Sequence, residues 1–208
     1  MKALVYVGEE KLDFREVADP VVNSGEQLIK VDSAGICGSD IHAYLGHDER
    51  RPAPLILGHE ASGIILGGDR NGDRVAINPL VTCRNCHACT SGRENICSNR
   101  QVISMAPREG TFADMVSVPE VNLIRVPLDV PLEKAALTEP LAVSWHASRL
   151  ALEALHSSME RNVLIIGGGA IGLASALAFT AMEIEDIVIV ESNAIRRKYL
   201  NEKCNAVA

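Results

Sequence analysis

An α/β fold preceded by a strand-rich region is what this sequence predicts, and three observations carry it. A β-branched run, Val163-Leu164-Ile165-Ile166, leads directly into Gly167-Gly168-Gly169-Ala170-Ile171-Gly172. A second such run, Asp186 to Val190, follows a stretch rich in alanine and leucine. Short apolar segments separated by turn residues precede both. Strand, crossover helix, strand is the order of a doubly wound parallel sheet.

From the N-terminus, Lys2–Val7 and Leu12–Val17 bracket Gly8-Glu9-Glu10-Lys11 as a hairpin. Gln27–Val31 and Asp73–Ile77 read as further strands, followed by Thr111–Val118 and Asn122–Val126 around Pro119. Leu132 to Leu155 carries helical periodicity and is expected to join two domains; it holds Trp145 and His146, the latter expected to be packed or capping. Val163–Ile166 has the uninterrupted apolar character of a strand buried on both faces. Leu173–Met182 is the helix after the glycines.

Composition narrows the classes. Hydrophobic residues make up 47% and charged residues 23% of 208, enough apolar surface for a core and no case for wholesale disorder. Twenty basic against twenty-seven acidic residues leave a net charge of −7, which argues against nucleic acid as a partner, as do aromatics at 3%. Charge returns at Glu9, too soon for a signal peptide, so the cytoplasm is the expected location. Val163 to Met182 is uncharged and contains Gly168-x-x-x-Gly172, yet the second strand and its acidic end do not belong to a membrane span.

Cys83, Cys86, Cys89 and Cys97 fall within fifteen positions, with Cys37 and Cys204 apart. A C-x2-C-x2-C-x7-C run lets one loop surround a cation tetrahedrally, and the residues between are too polar to form a core of their own. Disulfides, an iron–sulfur site and unligated thiols are the rivals. A reducing cytosol disfavours the first, and a ferredoxin run would end C-x3-C-P, whereas Ser98 follows Cys97 here. Structural zinc is the favoured reading. His87, inside the lobe, is expected to face solvent.

Gly167, Gly169 and Gly172 satisfy G-x-G-x-x-G, with Ala170 and Ile171 between: one glycine for the turn, one for approach of a pyrophosphate, one for helix packing. Free N–H groups at the helix start then face the phosphates. Glu191 closes the second strand nineteen positions after Gly172, near the ~20 expected of an acid that binds ribose. Its charge repels a 2′-phosphate and favours NAD over NADP, while Arg196 and Arg197 keep NADP open. A plain β-turn-α connection is the bland alternative.

Gly35-Ile36-Cys37-Gly38-Ser39-Asp40-Ile41-His42, Leu57-Gly58-His59-Glu60 and Thr138-Glu139-Pro140 together offer sulfur, nitrogen and oxygen ligands of the kind found around catalytic zinc. Each alone is ambiguous. In this order, with the cysteine lobe and G-G-G-A-I-G, these segments resemble the zinc-dependent medium-chain alcohol dehydrogenases, most of all the polyol, sugar-alcohol and threonine dehydrogenase branch. The resemblance covers the whole chain. It implies a GroES-like catalytic domain with a partly open β-barrel over residues 1–148, and an incomplete NAD-binding Rossmann domain over 149–208.

The resemblance also implies roles. Cys37, His59 and Glu139 would hold a catalytic zinc, with Glu60 a neighbouring carboxylate able to ligate it in some states. Ser39 would hydrogen-bond the substrate hydroxyl, and His42 would be the outer member of a proton relay. Cys83, Cys86, Cys89 and Cys97 match the structural zinc lobe, for two zinc ions per subunit. The implied reaction is reversible hydride transfer from a secondary alcohol, such as a polyol, sugar alcohol or sugar-alcohol phosphate, to NAD, by a homodimer or homotetramer. An NADP-dependent reductase and a non-catalytic dinucleotide binder are the alternatives. Asp40, Tyr44, His47 and Arg50 either meet substrate or lie at the surface. Two departures stand out: the short connection Ile64–Asn71, expected to leave the zinc site intact, and the chain end at Asn205–Ala208, where a third Rossmann strand should begin. The 208 residues are therefore expected to be a fragment with little activity alone and an unpaired apolar sheet edge.

Overall fold

The computed structural model describes residues 1–156 and 158–203. Two compact units are present, Met1–Glu139 and Pro140–Ala208. The division falls at the start of a helix, Thr138–Ala154, whereas the expected boundary at 148/149 lies within it.

In the first unit, β1 (Lys2–Gly8) and β2 (Lys11–Glu16) form the expected hairpin, with Glu10 in the left-handed turn position at φ 56°. β3 (Glu26–Gly35) runs beyond the expected segment and ends just before α1 (Gly38–Tyr44). Then follow β4 (Leu55–Ile56), β5 (Glu60–Leu66), β6 (Arg74–Ile77) and β7 (Leu80–Val81). The cysteine lobe contains α2 (His87–Thr90), and β8 (Gln101–Val102) leaves it. β9 (Met115–Pro119), β10 (Leu123–Arg125) and α3 (Leu132–Ala135) complete the unit.

The strands make a five-stranded sheet in the order β10-β6-β5-β3-β9 and a three-stranded sheet in the order β2-β1-β4. All their pairings are antiparallel. A register shift between Val31 and Ser33 bulges β3 against β5, and a bulge bends a strand and sharpens its twist. Gly63 sits opposite, where a Cβ would strike the Lys30 carbonyl. Inside the curl, Ile29, Ile65, Val75, Ile77, Ile103, Val116 and Val118 form the core. On β9 the alternation is strict, with Val116 and Val118 buried and Met115 and Ser117 half-buried. Each β-branched side chain so buried is worth about 2–3 kcal/mol.

Three expectations change. Thr111–Asp114 is not strand. Gly110, Thr111 and Phe112 donate their N–H groups to Ile56, Gly58 and Leu57, and the Phe112 carbonyl accepts from Leu4, so this stretch stitches the 56–58 loop to β1. The helix expected over Leu132–Leu155 is two, α3 and α4 (Thr138–Ala154), because Pro140 has no N–H for the Ala136 carbonyl; the helix restarts with Pro140 in its first turn, where none is needed. His146 is neither packed nor capping: it is exposed on α4, its Nδ1 3.4 Å from the Arg149 guanidinium. The short Ile64–Asn71 connection closes as a hairpin through Gly67 and Gly68, both at positive φ, with the Gly67 N–H bonded to Asn71 Oδ1 at 2.7 Å.

The second unit starts with α4, then β11 (Val163–Ile166), α5 (Ala170–Ala181), β12 (Ile187–Val190) and α6 (Ala194–Lys203). β11 and β12 pair in parallel from Val163↔Ile187 to Ile166↔Val190, which requires a crossover, here α5. Ile165, Ile187 and Ile189 pack with Leu173, Ala176 and Leu200. The expectation of strands buried on both faces is met on one only: Leu164 and Ile166 are 62% and 84% exposed among the described residues. Cys204 and Asn205–Ala208, where a third strand was expected to begin, lie outside the described residues. No helix among the described residues is long and apolar enough to cross a membrane.

Candidate active site

Antiparallel pairing of β3 and β5 sets Gly35 opposite Glu60. Cys37 lies just past the end of β3, and His59 just before β5, so the ladder itself delivers both to one place. Glycine at 35 leaves room for the Glu60 carboxylate, which a Cβ there would push aside. The donor atoms of Cys37, His59 and Glu60 all lie within 4.8 Å of one another. Glu139 is not in that group. It stands near enough that His59, Glu60 and Asp40 act on it, while burial pushes its carboxyl up.

Asp40, read from sequence as a substrate contact or surface residue, is 2% exposed. Its carboxylate accepts the N–H groups of Cys37 at 3.0 Å and Gly58 at 3.1 Å and lies 3.5 Å from His59 Nδ1. One side chain therefore ties together the two loops that carry Cys37 and His59. Ser104, which the sequence does not single out, places its hydroxyl 3.4 Å from the same Nδ1. It is held at φ 73° with its carbonyl accepting from the buried Arg51 at 3.0 Å. These contacts occupy Nδ1 and leave Nε2 free to meet a cation, as where a carboxylate orients a zinc-binding histidine.

The electrostatics fit a cation. The hydrogen bond with His59 holds the Cys37 thiol below its usual range against the effect of burial, helped by Ser39. Burial pushes the His59 imidazole down, but Asp40 and Cys37 outweigh it and lift it to about 10. A thiol drawn toward thiolate, an imidazole fixed by a carboxylate and a buried Glu60 form a mixed donor set suited to zinc.

Ser39 and His42, on α1, line a cavity of about 230 Å³ with His47, Asp48 and Arg50. The His42 and His47 rings meet edge to face at 6.5 Å. Asp48 accepts from Arg50 and from Arg51, and Arg50 first, then Arg51, hold its carboxyl down at about 2 although burial opposes them. Because the folded value lies below the ordinary 3.8, this stabilisation is complete above about pH 4 and disappears as the pH falls toward 2. Discounted for the exposed Arg50 arm, it amounts to about 1–2 kcal/mol. Urea unfolding of wild type and Asp48→Asn should therefore differ by that amount near neutrality and converge in acid. A difference independent of pH would refute the pairing.

In the lobe, Cys83 Sγ lies 3.5 Å from Cys97 and 4.0 Å from Cys89, and Cys86 Sγ lies 3.5 Å from Cys89 and 3.9 Å from Cys97. Four thiolates about 2.3 Å from a zinc ion stand about 3.8 Å apart, whereas a disulfide requires about 2.05 Å. The backbone N–H groups of Asn85 and Cys86 pull the Cys83 thiol down to about 6, and burial with the neighbouring thiols pushes Cys89 up to about 12. Cys97 is fully buried, and His87 is exposed and outside the cluster.

The glycine turn divides its work. Gly167 has φ +102°, and a Cβ on Gly172 would strike the Gly167 carbonyl. A Cβ on Gly169, which caps the N-terminus of α5, would meet no atom of the other described residues within 4 Å. Space kept open beside free helix N–H groups, those of Ala170 and Ile171 among them, suits a phosphate. Gly168, unassigned in the motif, is also constrained: it packs on Leu200 and donates its N–H to Glu191 Oε2 at 2.8 Å. Glu191 is buried, its other oxygen accepting from the Asn193 N–H at 2.7 Å, with Arg196 3.6 Å from the first. Arg197 is committed to the Glu191 and Ser192 carbonyls.

Among known proteins, residues 23–128 match the alcohol dehydrogenase GroES-like domain family. L-galactonate-5-dehydrogenase of Escherichia coli (strain K12) is 36% identical over 207 residues, which are 96% of this chain and 58% of that protein. Galactitol-1-phosphate dehydrogenase from Escherichia coli aligns in structure with a TM-score of 0.86 at 30% identity, over 97% of this chain and 58% of that one. An alcohol dehydrogenase from E. coli CFT073 solved with NADH gives 0.85 at 29% identity, over 97% and 60%. The chain thus spans less than two thirds of the length of these relatives.

Proposed function

Since this chain belongs to the zinc-dependent medium-chain alcohol dehydrogenases, in their polyol and sugar-alcohol branch, we propose that it oxidises a secondary alcohol of a polyol or sugar derivative reversibly, with NAD as hydride acceptor. The observation that carries the reading is the convergence of Cys37, His59 and Glu60, backed by Asp40, beside a polar cavity lined by Ser39 and His42. The relatives act, by name, on L-galactonate and galactitol 1-phosphate, both polyhydroxylated.

Cys37, His59 and Glu60 hold the catalytic zinc, and Glu139 supplies a second carboxylate nearby. Cys83, Cys86, Cys89 and Cys97 hold the structural one. When bound, the catalytic zinc supplies Lewis acidity toward the substrate hydroxyl, and the nicotinamide takes the hydride. Ser39 would accept the hydroxyl proton while giving up its own toward His42, exposed beside the same cavity, which would release a proton to solvent. Gly167, Gly169 and Gly172 with Ala170 and Ile171 take the pyrophosphate. Glu191 faces the ribose, and its negative charge, with Arg197 turned to the backbone, favours NAD over NADP.

Metal analysis and NADH absorbance on the full-length protein test the reading together, with polyols, sugar-alcohol phosphates and threonine as substrates. Two zincs per chain and NAD reduction are expected. One zinc without turnover would point to a dinucleotide binder, and turnover with NADP alone to a reductase. Asp40→Asn should weaken binding at the catalytic zinc about 10–100-fold in chelator competition, because His59 Nδ1 loses its carboxylate. Unchanged affinity would remove Asp40 from the role.

A further inference from the structure

We propose that the cavity beside Ser39 selects an anionic polyol: a hydroxylated chain whose terminal carboxylate or phosphate is read by Arg50 while another hydroxyl meets Ser39. The inference rests on the dehydrogenase reading above and narrows its substrate.

Two guanidinium groups converge on one carboxylate. Arg51, 2% exposed, holds Asp48 from the protein side and is anchored to the Ser104 carbonyl. Arg50 grips the same carboxylate from the other side through Nε at 2.8 Å and a terminal nitrogen at 3.0 Å, yet is 72% exposed. Asp48 is therefore neutralised by a buried partner even when Arg50 lets go. Among the described residues Arg50 Nη1 makes no hydrogen bond, so an incoming oxyanion meets the outer edge of the guanidinium while Nε and the other terminal nitrogen stay on Asp48. The group holds one positive charge in excess, in a chain whose net charge is −7. A planar fork of donors matches carboxylate or phosphate in two-point contact, a geometry neutral hydroxyls do not exploit.

The cavity's size points the same way. At about 230 Å³ it is small, and its lining of Ser39, His42, His47, Asp48 and Arg50 includes no apolar side chain. Such walls offer a hydrophobic alcohol no apolar surface to bury, whereas the hydroxyls of a polyol find polar partners. Ser39, which lines the cavity, also hydrogen-bonds Cys37, so one residue touches both the cavity and the candidate metal site.

The test is steady-state kinetics of the zinc-loaded full-length protein on an aldonate, an alditol phosphate and the unsubstituted alditol of equal carbon number. At least one anionic substrate should exceed the alditol in kcat/KM. Arg50→Ala should reduce that preference about tenfold or more, through KM rather than kcat, and Arg50→Lys should restore part of it. Whichever anion depends more on Arg50 names the end group. Equal use of all three substrates, or a loss on Arg50→Ala shared evenly by them, would overturn the proposal and leave the dehydrogenase reading standing. Turnover of none of them at full zinc content would bring down that reading, and this one with it.

Discussion

Cys37→Ser in the full-length, zinc-loaded protein is expected to lower kcat by about a thousandfold or more while the zinc content falls from two ions to one. The magnitude follows from the several kcal/mol that a Lewis-acid metal contributes to stabilising developing charge, at about 1.4 kcal/mol per factor of ten. Serine keeps the shape of the residue but not a thiolate, because its hydroxyl stays protonated at neutral pH. The loss should be confined to this centre. Cys37 caps a helix at the end of β3, whereas the four lobe cysteines lie on a loop between β7 and β8. Asp40 would still bond the Gly58 N–H and hold the His59 loop, so the fold should survive and circular dichroism should not change. Wild-type activity at unchanged zinc content would remove Cys37 from the metal site.

The second large effect is structural. Cys97→Ser should open the lobe, giving a rise on the order of 100-fold in tryptic cleavage at Arg84, Arg93 and Arg100. Structural zinc contributes about 10–16 kcal/mol in small zinc-organised folds, and this lobe has little else to hold it. Arg84, Arg93 and Ile96 are exposed, and its helical pieces, His87–Thr90 and Glu94–Ile96, are too short to stand without it. Proteolysis follows the population of the open form, and a hundredfold rise corresponds to a loss of about 3 kcal/mol, well within what a missing ligand removes. Treatment of the wild type with a strong chelator should reproduce the cleavage pattern, and zinc should reverse it. Resistance to trypsin in both cases would mean that packing, and not a metal, holds the loop.

What could be read in the sequence was what is local in the chain. The four lobe cysteines and the glycine turn each act within one short segment, so spacing alone announces them. Cys37 and His59 become neighbours only because Gly35 pairs with Glu60 across β3 and β5, and β5, with Ala61, Ser62 and Gly63 at its start, carries little strand signal. The choice between Glu60 and Glu139 as partner of that pair depends on the same ladder. Asp40 had a signal that went unused: an acid three residues after the helix cap, where it can turn back on the cap's N–H. Arg51 and Ser104 had none, since an arginine beside Arg50 looks like any surface charge and a buried serine at positive φ leaves no pattern. Pro140 was visible in the sequence, and its missing N–H was enough to predict the break between α3 and α4.

Gly167 and Gly172 are demanded by the protein's own backbone, one by its dihedral angle and the other by a carbonyl against its face. Among the described residues, no atom outside its own neighbours stands within 4 Å of a Cβ placed on Gly169. A redesign that optimised this fold for its own sake would keep the first two and could replace the third with serine or aspartate, whose side chains cap a helix N-terminus. The space Gly169 leaves open beside the helix N–H groups is where the phosphate of the proposed cofactor would sit, so this position answers to a ligand more than to packing.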